Sequence, residues 1–321
     1  MIVLTGAAGF IGSCLTAYLN SKGIRNIMLV DEFGSSKKNQ NLSDKKFLNF
    51  IDRNEFMEWF DLQYESVELV LHIGARTDTT EFNVDVFDKL NLHYTQDLWQ
   101  RCTKYQIPFI YASSAATYGD GSLGYADDHS LIPRLKPLNP YGQSKQDFDV
   151  WALQQTQTPP SWYGLKFFNV YGPNEYHKAR MASVIFHSYR QIKEKDSVSL
   201  FRSHRPEYED GKQLRDFIYV KDVVKVIEWL TVNRPDSGIY NLGTGNARTF
   251  LDLAHAVFNA LGKEPIINWV DIPIDIRDKY QYYTEAEMGK LRAAGYKDEF
   301  YSLEEGVSDY VLNYLVPTKY Y

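Results

Sequence analysis

The stretch Met1-Ile2-Val3-Leu4-Thr5-Gly6-Ala7-Ala8-Gly9-Phe10-Ile11-Gly12 decides the fold. Ile2 to Leu4 form a short apolar run, the pattern of a buried strand. Thr5 leads into three glycines, and a helical pattern then runs through Ile11, Leu15, Tyr18 and Leu19. Strand, glycine turn and helix in that order form the context in which such a turn binds a dinucleotide. Gly6 permits the tight turn, Gly9 leaves room for a pyrophosphate, and Gly12 lets the helix pack closely on the strand. The helix N-terminus offers free N–H groups to phosphate. The spacing is G-x-x-G-x-x-G rather than G-x-G-x-x-G, and the glycines alone are equally compatible with a structural turn. Their place directly after a strand favours the nucleotide.

A second apolar run, Ile27 to Val30, ends in Asp31, about where an acid meets the adenosine ribose hydroxyls. Lys37 and Lys38 follow, with Arg53 further on. These cations suit a 2′-phosphate and lean toward NADP, whereas Asp31 leans toward NAD. The plainer reading of Lys37 and Lys38 is a solvated loop, so the cofactor stays open between the two.

Asn139-Pro140-Tyr141-Gly142-Gln143-Ser144-Lys145 supplies the chemistry. Pro140 suits the first turn of a helix. Residues four apart share one helix face, so Tyr141 and Lys145 point the same way. A phenol ionises near pH ~10, and a nearby ammonium is expected to lower that value, making Tyr141 an acid–base group near neutrality. With 24 tyrosines in the chain, the pair alone is weak evidence. It gains weight from Ser113-Ser114-Ala115-Ala116-Thr117-Tyr118-Gly119, which follows the apolar run Pro108 to Ala112. A hydroxyl at a strand's C-terminal end in an open α/β sheet lies where ligands bind. Ser114 is placed to bond a substrate oxygen.

Strand and helix patterns alternate along the chain. Val67 to Leu71 and Trp162 to Phe168 read as strands, and a long helix is predicted from about Val84 to Tyr105. This alternation implies an α/β fold, a Rossmann-like doubly wound parallel sheet, with a smaller α/β substrate domain. Phe217 to Val220 and Ile239 to Leu242 are expected to return to the main sheet. The dinucleotide domain is therefore expected over 1–170 plus 216–246, and the substrate domain over 171–215 plus 247–321. The charged, aperiodic stretch Ser203 to Gln213 reads as a surface loop.

The 321 residues suffice for a large core. No run of 18 apolar residues exists, so no membrane span is expected. The N-terminus enters the first strand directly, leaving no room for a signal peptide. Cys14 and Cys102 are the only cysteines and suggest neither metal nor disulfide framework. A reducing cytoplasm is the expected setting. The net charge of −6 argues against broad nucleic-acid binding, so an anionic substrate needs a local cluster of cations.

The glycine turn, Ser114 and Tyr141-x-x-x-Lys145 resemble the extended short-chain dehydrogenase/reductases that modify nucleotide sugars. The resemblance sharpens in Phe168 to Lys178, Met181 to Val184, Thr79-Thr80-Glu81, Tyr111 to Gly119, Arg215-Asp216-Phe217, Asn241 to Gly245 and Leu291 to Tyr296. These blocks are similar to those of the ADP-L-glycero-D-manno-heptose 6-epimerases. The resemblance implies inversion at C6″ of an ADP-heptose through transient oxidation, with tightly bound NADP or NAD, in the synthesis of activated heptose for lipopolysaccharide core. It also implies a homo-oligomer, family members being pentamers.

By the same resemblance Tyr141, Lys178, Ser114 and Lys145 are catalytic, with Lys178 a second proton carrier. Cofactor contacts fall to Gly6, Gly9, Phe10, Ile11, Gly12, Asp31, Glu32, Lys38, Arg53, Ile73, Gly74, Ala75, Arg76, Thr77, Asn91, Tyr141, Lys145, Val170 and Lys178. Substrate contacts fall to Ser114, Asn169, Arg180, His187, Phe201, Arg202, Ser203, His204, Arg215 and Tyr280. From residue type alone, Lys178 is equally a phosphate anchor, Arg215 a partner of Asp216, and His187 a structural helical histidine. His177 reads as a loop-positioning residue.

Four positions depart from the pattern. Arg76 replaces a small residue, Leu90 leaves Asn91 as a single asparagine, Ile73 replaces an acid, and Arg53 replaces a lysine. They bear on cofactor preference more than on reaction type. Ala115 and Ala116 provide no acid for a dehydratase. Another nucleotide-sugar epimerase or reductase, or a dinucleotide sensor without catalysis, remain the alternatives.

Overall fold

Strands whose side chains are apolar on both faces need cover on both sides, and that requirement builds the centre of this molecule. Ile27–Asp31, Leu69–His72, Phe109–Ser114 and Gly238–Leu242 are buried along their whole length. The computed structural model describes residues 1–78, 81–277 and 280–321, apart from the side chains of Asp275 and Ile276. Thr79 and Thr80 of the Thr79-Thr80-Glu81 block lie outside the described residues.

Seven strands form one parallel sheet in the order Gly238–Leu242, Trp162–Phe167, Phe109–Ser114, Leu69–His72, Ile2–Thr5, Ile27–Asp31 and Asn49–Asp52. The chain runs outward to one edge from Ile2–Thr5 and then restarts on its other side at Leu69–His72. Ligands bind at such a reversal, beyond the C-terminal ends of the strands. The glycine turn, Gly74 and Ser114 all fall at those ends. The doubly wound parallel α/β fold expected from the sequence is present.

Gly238–Leu242 joins the sheet beside Trp162–Phe167, as expected. Phe217 to Val220 does not. Phe168 still donates to the Leu242 carbonyl at 3.1 Å, but Asn169 turns its N–H to the Asp216 carbonyl at 3.0 Å. Phe217–Tyr219 therefore pairs with Asn169–Tyr171 in a separate two-stranded ribbon. Two more ribbons follow: Leu214–Arg215 with Arg248–Thr249, and Val198–Phe201 with Ile267–Val270.

The predicted Val84–Tyr105 helix forms in three parts. Helical turns at Val84–Phe87 and Tyr94–Lys104 flank a π-helical segment, Asp88–His93. Such wide turns recur at functional sites, and this one turns Asn91 inward. Ser203 to Gln213 contains only turns and bends and is largely exposed until Gly211, matching the expected surface loop.

Candidate active site

The glycine turn shows why its residues are glycine. Gly6 has φ +66°, and a Cβ there would stand 2.5 Å from the Gly74 Cα on the neighbouring strand end. The helix Phe10–Ser21 that follows has no side-chain cap and no acid in its first turn. Its N–H groups and positive dipole end are left for an anion. A cleft of ≈ 430 Å³ opens there, lined by Gly6, Gly9, Phe10, Ile11, Gly12, Asp31, Lys38, Arg53, Ile73, Gly74, Ala75, Arg76, Thr77 and Lys178 among others. The cradle fits a dinucleotide pyrophosphate. Of the expected cofactor contacts, Glu32, Asn91, Tyr141, Lys145 and Val170 are outside that lining.

At the strand end Asp31 is nearly buried and fully engaged. One carboxylate oxygen accepts from the Ala8 N–H at 2.9 Å, and the other accepts from the Glu32 N–H at 2.7 Å and pairs with Lys38. Arg53 pairs with Glu32 at 2.8 Å. Both cations therefore stand beside Asp31 in the cleft, each already facing an acid. Arg76 reaches toward Asp78 and Glu81 at 3.8 and 3.9 Å. Its backbone is held by Asn91, which accepts from the Arg76 N–H at 2.8 Å and donates to the Arg76 carbonyl at 3.0 Å. Asn91 also donates to Ser144 at 3.0 Å. It thus joins the cleft wall to the helix of Tyr141 rather than opening into the cleft.

That helix, Pro140–Leu153, starts at Asn139, whose side chain caps the Gly142 N–H at 2.8 Å, with Pro140 in the first turn. Gly142 lets the helix press on the turn after Ser114: a Cβ there would meet the Ala116 carbonyl at 2.9 Å. Ser114 is thereby brought close enough to the Tyr141 phenol to lower its pKa. The Lys145 ammonium donates to the Ala112 carbonyl at 2.8 Å. The expectation that Lys145 lowers the Tyr141 pKa is not met. Burial raises Tyr141 above its ordinary value, and only Ser114 works against it. Lys145 is itself lowered to about 8 by burial, against the attraction of Asp149. Removal from water penalises both charged forms here. A neighbouring cation on the helix does not outweigh it.

Lys178 lies in a turn, Tyr176–Met181, and lines the same cleft as the glycines. Its amine stands 5.2 Å from the centre of the Phe10 ring. Burial lowers its pKa, opposed by Glu175. A half-buried lysine with a weakened hold on its proton, in a cleft, has the properties of a proton-transfer group. Glu175 is buried and bonded to the Ser183 N–H at 2.6 Å and the Tyr310 hydroxyl at 2.9 Å.

The expected substrate residues fall on the neighbouring ribbons and loops. Arg215 is buried and forms no ion pair among the described residues. Its guanidinium donates to the Leu214 and Gln281 carbonyls and lies 5.6 and 5.4 Å from the Phe250 and Tyr280 rings. Asp216 instead accepts from Thr244, Gly245 and Ala286, so the alternative of an Arg215–Asp216 pair falls away. Phe201 packs edge-on to Tyr280 at 5.9 Å. Ser203 donates its N–H to Asp210, and His204 donates its N–H to the Tyr282 hydroxyl. Arg202 is half-exposed near Asp210 and Asp271. Arg180 pairs with Asp78 at 3.2 Å. His187 meets the Arg180 carbonyl at 3.3 Å, and Asn169 is exposed beside the ribbon. Arg215, Phe201 and Tyr280 form one cluster, whereas Arg180 meets the cleft through Asp78, with His187 on the Arg180 carbonyl.

Three residues escaped the sequence reading. Asp149 and Lys166 form a fully buried pair at 2.7 Å, completed by Tyr111 and Ser113 donating to Asp149 and by Lys166 donating to Thr117. A lysine inside the apolar run Trp162 to Phe168 was the available signal, since such a charge must find a partner. Asn41 is wholly buried and carried no signal that residue type alone reveals.

The fold and this constellation define a dinucleotide-dependent enzyme class. The profile of the NAD dependent epimerase/dehydratase family matches residues 2–243, and the chain belongs to that family. It is 48% identical to the ADP-L-glycero-D-manno-heptose-6-epimerase of Fusobacterium nucleatum, over 98% of each chain. It is 49% identical to the enzyme of the same name from Nitratidesulfovibrio vulgaris strain Hildenborough, again over 98% of each. The Helicobacter pylori ADP-L-glycero-D-manno-heptose-6-epimerase superposes with a TM-score of 0.78 at 27% identity, covering 97% of this chain and 95% of its own. A UDP-glucose 4-epimerase from Thermotoga maritima, solved with UDP-glucose, superposes with a TM-score of 0.77 at 26% identity over 99% of each chain.

Proposed function

We propose that this chain inverts C6″ of an ADP-heptose, converting ADP-D-glycero-D-manno-heptose to its L-glycero epimer without net redox change. What carries the reading is the 48–49% identity with heptose epimerases along 98% of the chain. At that level and coverage the likeness is one of sequence along the whole chain and not of fold alone. Bound nicotinamide dinucleotide supplies hydride acceptance and return. Gly6, Gly9, Gly12 and the uncapped helix would hold its pyrophosphate, and Lys145 its nicotinamide ribose. Lys38 and Arg53 support NADP over NAD, because Asp31 already accepts from three of this chain's own donors, Lys38 among them.

Tyr141 handles the hydroxyl proton on one face of the substrate and Lys178 handles it on the other. Two carriers are required because the oxygen stands in different places before and after the sugar presents its second face. Ser114 steadies the oxygen and the phenol. Arg215, buried against two aromatic rings and without a carboxylate, supports a role as diphosphate anchor, a geometry to which arginine is suited. We assign the dinucleotide domain to 1–170 plus 216–246 and the sugar-nucleotide domain to 171–215 plus 247–321.

The test is direct. Purified protein incubated with ADP-D-glycero-D-manno-heptose should yield a mixture of C6″ epimers, resolved by proton NMR, with no accumulation of reduced dinucleotide. Failure to form the L-glycero epimer, with turnover of a UDP-hexose instead, assigns the chain to a 4-epimerase reaction. Turnover of neither, with dinucleotide still bound, leaves a sensor.

A further inference from the structure

Asn41 sits in the short turn Gln40–Leu42, fully enclosed. A buried amide is costly unless its hydrogen bonds are met, and this one directs its donors to two remote segments. Its Nδ2 lies 2.9 Å from the Ala8 carbonyl, in the glycine turn, and 3.1 Å from the Asn174 carbonyl. It also lies 3.2 Å from Nδ1 of His177, the neighbour of Lys178. Both carbonyls can only accept, so the amide's orientation is fixed. Burial and the nearby Lys178 and Lys38 hold His177 at about 4, so its ring is neutral.

The segment that Asn41 grips is built to hold one shape. Asn174 adopts the left-handed region at φ +73°, and its side chain donates to Ser13 at 3.0 Å on the glycine helix. Lys178 N–H donates to the Glu175 carbonyl at 2.9 Å. On its other side, Asn41 is three residues from Lys38, which lines the cleft. The Ala8 that it holds is bonded in turn to Asp31. One side chain thus links the phosphate-binding turn to the loop that carries Lys178.

We infer that Asn41 is the positioning residue for Lys178: it fixes the distance between the phosphate-binding turn and the amine that moves a proton on the substrate's second face. This rests on the reading of Lys178 as a proton carrier. The orienting bonds matter because a displacement of about 1 Å far from the chemistry costs ~10²-fold in rate.

The experiment compares Asn41→Leu, which keeps volume and removes both donors, with Asn41→Ser, which carries the same comparisons if the leucine variant does not fold. Each is measured for dinucleotide content, Michaelis constant and saturated turnover on ADP-heptose, alone and in a Lys178→Met background. Turnover at saturation is expected to fall ~10²-fold with dinucleotide retained and the Michaelis constant little moved. In the Lys178→Met background the Asn41 change should add no further loss, because the group it positions is gone. An Asn41 variant with wild-type saturated turnover beside a crippled Lys178→Met enzyme overturns this inference alone. So does a variant that costs the Lys178→Met enzyme as much as it costs the wild type. Normal saturated turnover in Lys178→Met takes down the proton-carrier reading and this inference with it.

Discussion

Lys178 and Tyr141 both meet the dehydrated interior, and its effect on them is opposite in sign. Burial raises the phenol and lowers the amine, so in the resting protein the first holds its proton firmly and the second holds it loosely. A pair tuned in this direction suits a reaction in which one group must donate and the other accept. Tyr141→Phe should lower turnover by ~10²–10⁴-fold, the usual worth of positioned acid–base catalysis, with dinucleotide still bound. Lys178→Met keeps most of the stem and removes the amine. If Lys178 transfers a proton, saturated turnover collapses; if it only grips phosphate, the Michaelis constant rises and saturated turnover survives. The double variant should be no worse than the more damaged single one, since groups acting in one step lose activity non-additively. Tyr141 and Lys145 could be singled out because Tyr-x-x-x-Lys is a local pattern, whereas Lys178 was singled out only by family resemblance. The sign of the Tyr141 shift was not legible, because burial is set by the whole molecule and not by the residue four positions away.

Helix Pro140–Leu153 and strand Phe109–Ser114 must be held in register for Ser114 to meet Tyr141. The clasp is Asp149, one turn beyond Lys145. It accepts from Tyr111 at 2.9 Å and Ser113 at 2.6 Å on that strand, and from Lys166 at 2.7 Å on the next strand. Its charge also supports the ammonium of Lys145, which burial holds at about 8. Asp149→Asn leaves Lys166 buried without its counter-charge, and breaking a buried pair costs about 3–5 kcal/mol, measurable by urea unfolding. The second effect is on pH dependence. Removing the Asp149 charge removes the one influence that raises the Lys145 pKa, so the amine loses its proton at lower pH. The basic limb of the turnover profile should then move to lower pH. An unmoved limb in folded protein would show that the Asp149 charge does not reach Lys145. Elements were legible where a pattern repeats within a few residues, as in the glycine turn and the Val84–Tyr105 helix. Pairing across the chain was not: Phe217–Tyr219 has the apolar character of a sheet strand, yet one backbone bond at Asn169 sends it to a ribbon.

Across the whole molecule, a net charge of −6 must accommodate two anionic ligands, and it does so by concentrating cations at two places. Arg215 stands in an aromatic setting beside Phe250 and Tyr280, and Lys38 with Arg53 lines the cleft beside Asp31. The second cluster was visible in sequence, but its internal pairing was not, because Asp31 and Glu32 meet these cations only once the strand ends are brought together. That pairing decides the last prediction. With Lys38 on Asp31 and Arg53 on Glu32, a 2′-phosphate gains by displacing acids from cations that already point into the cleft. A 2′-hydroxyl finds Asp31 already accepting from three donors of this chain. Protein purified without added cofactor should therefore release NADP in excess of NAD when denatured, because a dinucleotide regenerated in every cycle has no need to leave. Arg53→Gln should weaken NADP binding by about 10- to 100-fold, since a hydrogen bond to a charged group is worth about 1.5–3 kcal/mol, and leave NAD binding nearly unchanged. Equal losses for the two dinucleotides would place Arg53 in the support of Glu32 rather than on the phosphate. Release of NAD alone would show that Asp31 gives up Lys38 and receives the ribose hydroxyls instead.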